Sequence, residues 1–232
     1  FPEYRIPLNA VSIVMVAFII FFCCISFPQA KPQENVSLGK TLGLLKYPAL
    51  LAFAFVLFFQ SGFEGASGSF TVSFLDKSAG MDAATATLSM TWFTLGMMAG
   101  RLPLGAIMKR LKDLTTLYIY LSVALIGVIL LYLCNSNVAI VYGAMVMIGF
   151  GVGATFPVVL NFIGGAFREL SGTAFSIALF IALCGQSALN KLTGVAFDAG
   201  NYQMLPILLI LALVAIMVLV PIAASVAKKM NK

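Results

Sequence analysis

Gly100-Arg101-Leu102-Pro103-Leu104-Gly105-Ala106-Ile107-Met108-Lys109-Arg110-Leu111-Lys112-Asp113 is a knot of positive charge between two long apolar runs. The runs, Ala83 to Ala99 and Leu114 to Cys134, contain no charged residue. At about 1.5 Å of rise per helical residue, each is long enough to cross an apolar layer of roughly 30 Å, so the knot reads as a loop between two transmembrane helices. Lys and Arg beside membrane spans stay on the cytoplasmic side, and Lys109, Arg110 and Lys112 therefore orient the turn toward the cytoplasm.

Composition excludes a soluble domain. Hydrophobic residues make up 61% of the 232 and charged residues 9%, against about 25% charged in ordinary globular proteins. The net charge of +6 sits at the ends of apolar runs rather than in one patch interleaved with aromatics, so it marks topology and not nucleic-acid binding. Cys23, Cys24, Cys134 and Cys184 lie in or at the ends of apolar runs without C-x-x-C spacing. The chain has no histidine, and neither a metal site nor a disulfide framework is expected. No cofactor is expected either.

Outward from the knot, the runs divide the chain into seven spans. Leu8 to Phe27 is the first, stopped by Pro28. It is too long and wrongly flanked for the core of a cleaved signal peptide. A chain that begins at Phe1 is expected to be part of a longer product. Polar residues 29–48 form a cytoplasmic linker with Lys31, Lys40 and Lys46. Gly39-Lys40-Thr41 there lacks the upstream glycine of a phosphate-binding loop, and Asn35-Val36-Ser37 is a sequon on the wrong side of the membrane for glycosylation.

Ala49 to Phe74 is the second span and the most polar, with Gln60, Ser61, Glu64, Ser67 and Ser69. Glu64 is the one carboxylate well inside an apolar run. Gln60 and Glu64 stand four apart, hence on one helix face, and Ser67 extends that face. An ionised carboxylate in hydrocarbon costs several kcal/mol by most scales, so Glu64 should face a bundle interior or a water-filled cavity. It reads either as a solute or proton site or as a structural hydrogen-bonding group. Leu75 to Ala83 is an external loop. The third span, Ala84 to Met108, carries the single tryptophan, Trp92, which either lines a cavity or simply packs. Leu114 to Leu133 is the fourth span, turned outside by Asn135-Ser136-Asn137.

Val138 to Phe167 is too long for one straight crossing unless it tilts or breaks, and Pro157 supplies a kink with Asn161 just beyond it. Gly149, Gly151 and Gly153 are small residues for close helix packing, not a dinucleotide fingerprint, because no strand precedes them. Arg168-Glu169 turns the chain at the cytoplasm. The sixth span, Ser171 to Phe197, holds Gln186 with Asn190 and Ser187 with Lys191, each pair at i and i+4. Lys191 either neutralises Glu64 or snorkels to the outer interface, the second being favoured. Leu205 to Val226 is the seventh span, followed by cytoplasmic Lys228, Lys229 and Lys232. The cytoplasmic segments then hold ten Lys and Arg residues and the external ones only Arg5 and Lys77, so the alternation is consistent.

The Gly-Arg-Leu-x-x-Gly sequence at Gly100 to Gly105 followed by Lys109-Arg110 resembles the loop signature of major facilitator superfamily transporters. Within that superfamily the chain is most similar to the fucose permease-like sugar/proton symporters. The residues that carry this likeness are Ser61-Gly62-Phe63-Glu64-Gly65-Ala66-Ser67, Gly80-Met81, Phe156-Pro157, and Gly194 with Asp198-Ala199-Gly200. Asn190-Lys191 departs from it, since the subfamily often has proline there. The faint match of Gly100 to Gly105 with Leu189 to Gly194 fits the inverted repeat within a six-helix half.

The resemblance implies an all-α polytopic membrane bundle of seven transmembrane helices. Residues 1–28 would be the sixth helix of a twelve-helix protein, 29–48 the cytoplasmic linker, and 49–232 the C-terminal six-helix half, with the N-terminal half outside this sequence. It implies a multi-pass protein of the inner or plasma membrane with a cytoplasmic C-terminus, in contact with lipid and not nucleic acid. The function implied is secondary active transport of a small polar solute, a monosaccharide for choice, by alternating access coupled to protons. Gln60, Glu64, Trp92, Asn161, Gln186 and Asn190 are the expected solute ligands, since sugar hydroxyls need donors and acceptors and a ring face packs on an aromatic. Gly100, Arg101, Gly105, Lys109 and Arg110 form the loop motif, whose glycines permit close helix contact. The alternative is a half-size membrane subunit or a facilitator for a non-sugar solute. An enzyme is not expected, because one buried carboxylate and no histidine leave no acid–base set.

Overall fold

A computed structural model describes residues 5–26, 43–133 and 136–230. The chain divides into two compact units, Phe1–Leu38 and Gly39–Lys232. The first holds helix α1 (Arg5–Cys24), apolar along its length and without a buried residue. Most of the expected linker, with the sequences around Asn35 and Gly39, lies outside the described residues.

The second unit is a helical bundle. Its elements are α2 (Pro48–Ala79), α3 (Ala83–Arg101), the short α4 (Leu104–Met108), α5 (Asp113–Leu133), α6 (Val138–Gly153), α7 (Thr155–Ala166), α8 (Ser171–Asp198) and α9 (Met204–Met230). Among the described residues, six helical segments are long and apolar enough to cross a membrane: α1, α2, α5, α6 with α7, α8 and α9. α3 is the exception. It has 19 residues but carries four threonines; Thr87 and Thr94 return their hydroxyls to the carbonyls of Ala83 and Met90 at 2.7 and 2.9 Å. That back-bonding lets a polar sequence sit in a bundle without orphaned donors.

Two expected boundaries shift. The third span ends at Arg101 rather than Met108, because Pro103 has no N–H to continue the helix and the chain restarts as α4. Asp76 and Lys77, expected in an external loop, belong to the last turns of α2, which runs on to Ala79 and stops at Gly80 in the left-handed conformation, φ 65°. The expected interruption of the long fifth run is present: α6 ends at Gly153 and α7 begins at Thr155, two residues before Pro157.

Glycines set the helix spacing. A Cβ on Gly96 would overlap the carbonyl oxygen of Val146, one on Gly149 that of Phe93, and one on Gly100 would come within 2.5 Å of the Phe150 oxygen. Thus α3 and α6 touch backbone to backbone along two turns. Gly151, on another side of α6, meets the Tyr120 carbonyl and Ala124 of α5. The same device joins α2 to α8, where Gly185 meets the Phe58 carbonyl and Gly62 meets Leu189. In lipid such close approach supplies dispersion contact in place of the hydrophobic effect. The core around these seams is aliphatic and aromatic, with Phe53 stacked on Phe162 at 5.4 Å.

Candidate functional site

α2 brings Gln60 and Glu64 together as their spacing requires. The Gln60 side chain is fully buried, and its Nε2 donates to Glu64 Oε1 at 2.9 Å. The same nitrogen donates to the Val152 carbonyl of α6 at 3.1 Å. One amide group therefore ties the carboxylate on α2 to the end of the facing helix. Gln60 Oε1 is buried and has no hydrogen-bond partner. Ser67 and Thr71 continue the same face at i+7 and i+11, and their hydroxyls are likewise buried and unpartnered.

α8 contributes Gln186 from the opposite side. A Cβ on Gly65 would lie 2.5 Å from Gln186 Cγ, so the Gln186 side chain lies across Gly65, the residue after Glu64. Asn190 stands one turn further along, half-buried, with its Oδ1 unpartnered. Lys191 is exposed and forms no ion pair with Glu64; among the described residues the ion pair present is Lys77 with Asp76 at 3.3 Å.

Trp92 and Asn161 are both exposed on the second unit. Trp92 packs against Tyr142 with ring centroids 5.9 Å apart, and Tyr142 donates its hydroxyl to the Thr85 carbonyl at 3.2 Å. No hydrogen bond joins either residue to Gln60 or Glu64 among the described residues. Of the six expected ligands, the structure groups Gln60, Glu64 and Gln186, leaves Asn190 beside them on α8, and holds Trp92 and Asn161 on other helices.

The loop motif is built into the bundle more deeply than its charge suggests. Gly100 packs on Phe150, and its carbonyl accepts from the buried Tyr120 hydroxyl at 2.9 Å. That carbonyl belongs to the last turn of α3, where the proline at 103 removes one prospective donor, so Tyr120 satisfies an orphaned acceptor. Arg101 Nε donates to the Gly153 carbonyl at 3.2 Å. Gly153 precedes Pro157 by four residues, and a proline cannot supply the i+4 N–H. The Arg101 bond was not expected from the sequence, although the missing donor could have been counted from Pro157. Lys109 and Arg110 are exposed beyond α4, and Gly105 has open space around it. An open groove of about 430 Å³ runs along α3 over Thr94, Met97, Met98, Arg101 and Leu102.

Six long apolar helical segments among the described residues, with glycine seams joining α3 and α5 to α6 and α2 to α8 and a carboxamide–carboxylate pair inside the bundle, define a polytopic membrane protein with a polar interior site. The chain belongs to the Major Facilitator Superfamily, whose family model matches residues 6–189; it is a multi-pass membrane protein of a transporter family. Among solved structures, it is similar to the E. coli fucose:proton symporter FucP at 15% identity and a TM-score of 0.71, covering 94% of this chain and 54% of that one. It is also similar to FucP, a Major Facilitator Superfamily transporter, in the outward conformation, at 16% identity and a TM-score of 0.70, covering 90% and 51%. The chain therefore spans about half the length of the solved structures that it matches, and shares their fold. No curated protein sequence matches it.

Proposed function

We propose that this chain is the C-terminal half of a secondary active transporter that moves a monosaccharide-like solute together with protons. The linker and half boundaries suggested by the sequence are part of this reading, as are an inner or plasma membrane location and a cytoplasmic C-terminus. The observation that carries it is the Gln60–Glu64 pair: a carboxylate and a fully buried amide hydrogen-bonded at 2.9 Å within a helix of a membrane bundle. An intramembrane ionisable group with a named partner is by default a functional site. The set Gln60, Glu64, Gln186 and Asn190 offers a charged acceptor and amides that both donate and accept, matching the hydroxyls of a sugar. The fold shared with a fucose:proton symporter supports the same solute class.

Trp92 and Asn161 complete the proposed ligand set when the two halves of the transporter enclose the solute. Glu64 serves first as a solute ligand and second as a proton carrier. The test is equilibrium binding of labelled monosaccharides to the purified full-length transporter, compared with Gln186→Ala and Asn190→Ala variants. Saturable binding of one sugar, weakened by either substitution, supports the reading. Absence of binding by every monosaccharide overturns the sugar assignment and favours a facilitator for another solute.

A further inference from the structure

Two side chains from different helices hold the two consecutive carbonyls at the break between α6 and α7. Gln60 of α2 donates to Val152, and Arg101 of α3 donates to Gly153. The second of these carbonyls loses its backbone partner to Pro157. The first is held by an amide nitrogen whose other hydrogen bond goes to Glu64. A break in a membrane helix persists where neighbouring side chains satisfy the freed backbone groups.

We propose that Gln60 and Arg101 are positioning residues of the transport cycle, fixing the bend between α6 and α7, and that Gln60 ties this bend to the state of Glu64. The proposal rests on the reading of Glu64 as part of the solute and proton site. The physical link is the unpartnered Gln60 Oε1. An ionised Glu64 is an acceptor only and holds Gln60 Nε2 toward itself. A proton taken up from water by Glu64 makes it a donor, and the acceptor one helical turn away is Gln60 Oε1. Turning the amide to accept that proton withdraws Nε2 from Val152. Val152 then keeps only the backbone N–H of Ala154, Arg101 is the one side chain of the two still holding the break, and its angle is free to change.

Arg101 is the titratable residue of α3, which packs against α2. The other titratable residues on helices packed against α2 are Cys184, Lys191 and Asp198 of α8 and Lys228 and Lys229 of α9, with none on α7. None of them shares a hydrogen bond or ion pair with Glu64 among the described residues.

The test is a distance measurement on the full-length transporter in lipid nanodiscs, in a background with its native cysteines replaced by serine. Spin labels go on Gly143→Cys in α6 and Gly165→Cys in α7, both exposed positions with open space for a side chain. Glu64→Gln places a permanent donor at position 64, and it is expected to shift the mean label distance. Adding Gln60→Leu is expected to abolish that shift, so that the double variant matches Gln60→Leu alone. Arg101→Gln is expected to broaden the distribution and Arg101→Lys to narrow it again. Because Arg101 is exposed, its variants remain informative should the buried substitution fail to fold. The proposal is overturned if Glu64→Gln shifts the distance equally with and without Gln60, or if no variant moves it. Distances that respond in a protein that binds no sugar would leave this inference standing. Fixed distances in a protein whose sugar binding depends on Glu64 would remove it alone.

Discussion

Gly149 of α6 faces the carbonyl oxygen of Phe93 of α3 so closely that no Cβ fits between them. The contact is backbone to backbone, and the neighbour cannot rotate away as a side chain would. Gly149→Ala should therefore cost about 1–3 kcal/mol through overpacking, despite the better helix propensity of alanine. Gly143→Ala on the same helix meets nothing within 4 Å and should be neutral or slightly stabilising. Thermal unfolding of both variants in detergent checks this, and equal melting temperatures would refute the seam.

Tyr120→Phe keeps the ring stacked on Phe150, whose centroid lies 4.6 Å away, but leaves the Gly100 carbonyl without its 2.9 Å donor. The expected loss is about 1 kcal/mol, the usual net worth of one hydrogen bond. A melting temperature unchanged from the native protein would show that water or another group satisfies Gly100.

The seven-run pattern, the polar face of α2 and the break near Pro157 were all legible in the sequence. Each rests on a local rule: charge-free length, the i and i+4 spacing of Gln60 and Glu64, and a proline in an apolar run. What was not legible depends on which helices become neighbours. Nothing local says that Gln60 reaches Val152, that Arg101 reaches Gly153, or that Gln186 lies over Gly65. The end of α3 at Arg101 was missed because the apolar run continues past Pro103, and hydropathy does not register a missing N–H. Trp92 was legible as a single aromatic, but its partner Tyr142 stands 50 positions away on α6.

Asp82 caps α3, accepting from the backbone N–H groups of Ala84 and Thr85 at 3.1 and 3.0 Å. Hydrogen bonds from the Thr85 side chain and backbone, with that of Ala84, hold its carboxyl below the ordinary value of 3.8. A carboxyl depressed in the folded state adds stability above its unfolded pKa, and loses it as pH falls through the folded value. The difference in melting temperature between the native protein and Asp82→Ala should be constant above about pH 5 and shrink below it. A difference independent of pH down to the acid limit would show that the carboxylate is not the cap.

Uptake of labelled monosaccharides into vesicles containing the full-length transporter, with and without an imposed proton gradient and measured beside Glu64→Gln, tests the central claim most directly. Losing a hydrogen bond to a charged group costs about 1.5–3 kcal/mol, which corresponds to a fall in transport of roughly ten- to a hundredfold. The account predicts saturable, gradient-dependent uptake by the native protein and a loss of that order in the variant. Uptake by Glu64→Gln with native affinity and native response to the proton gradient would contradict it.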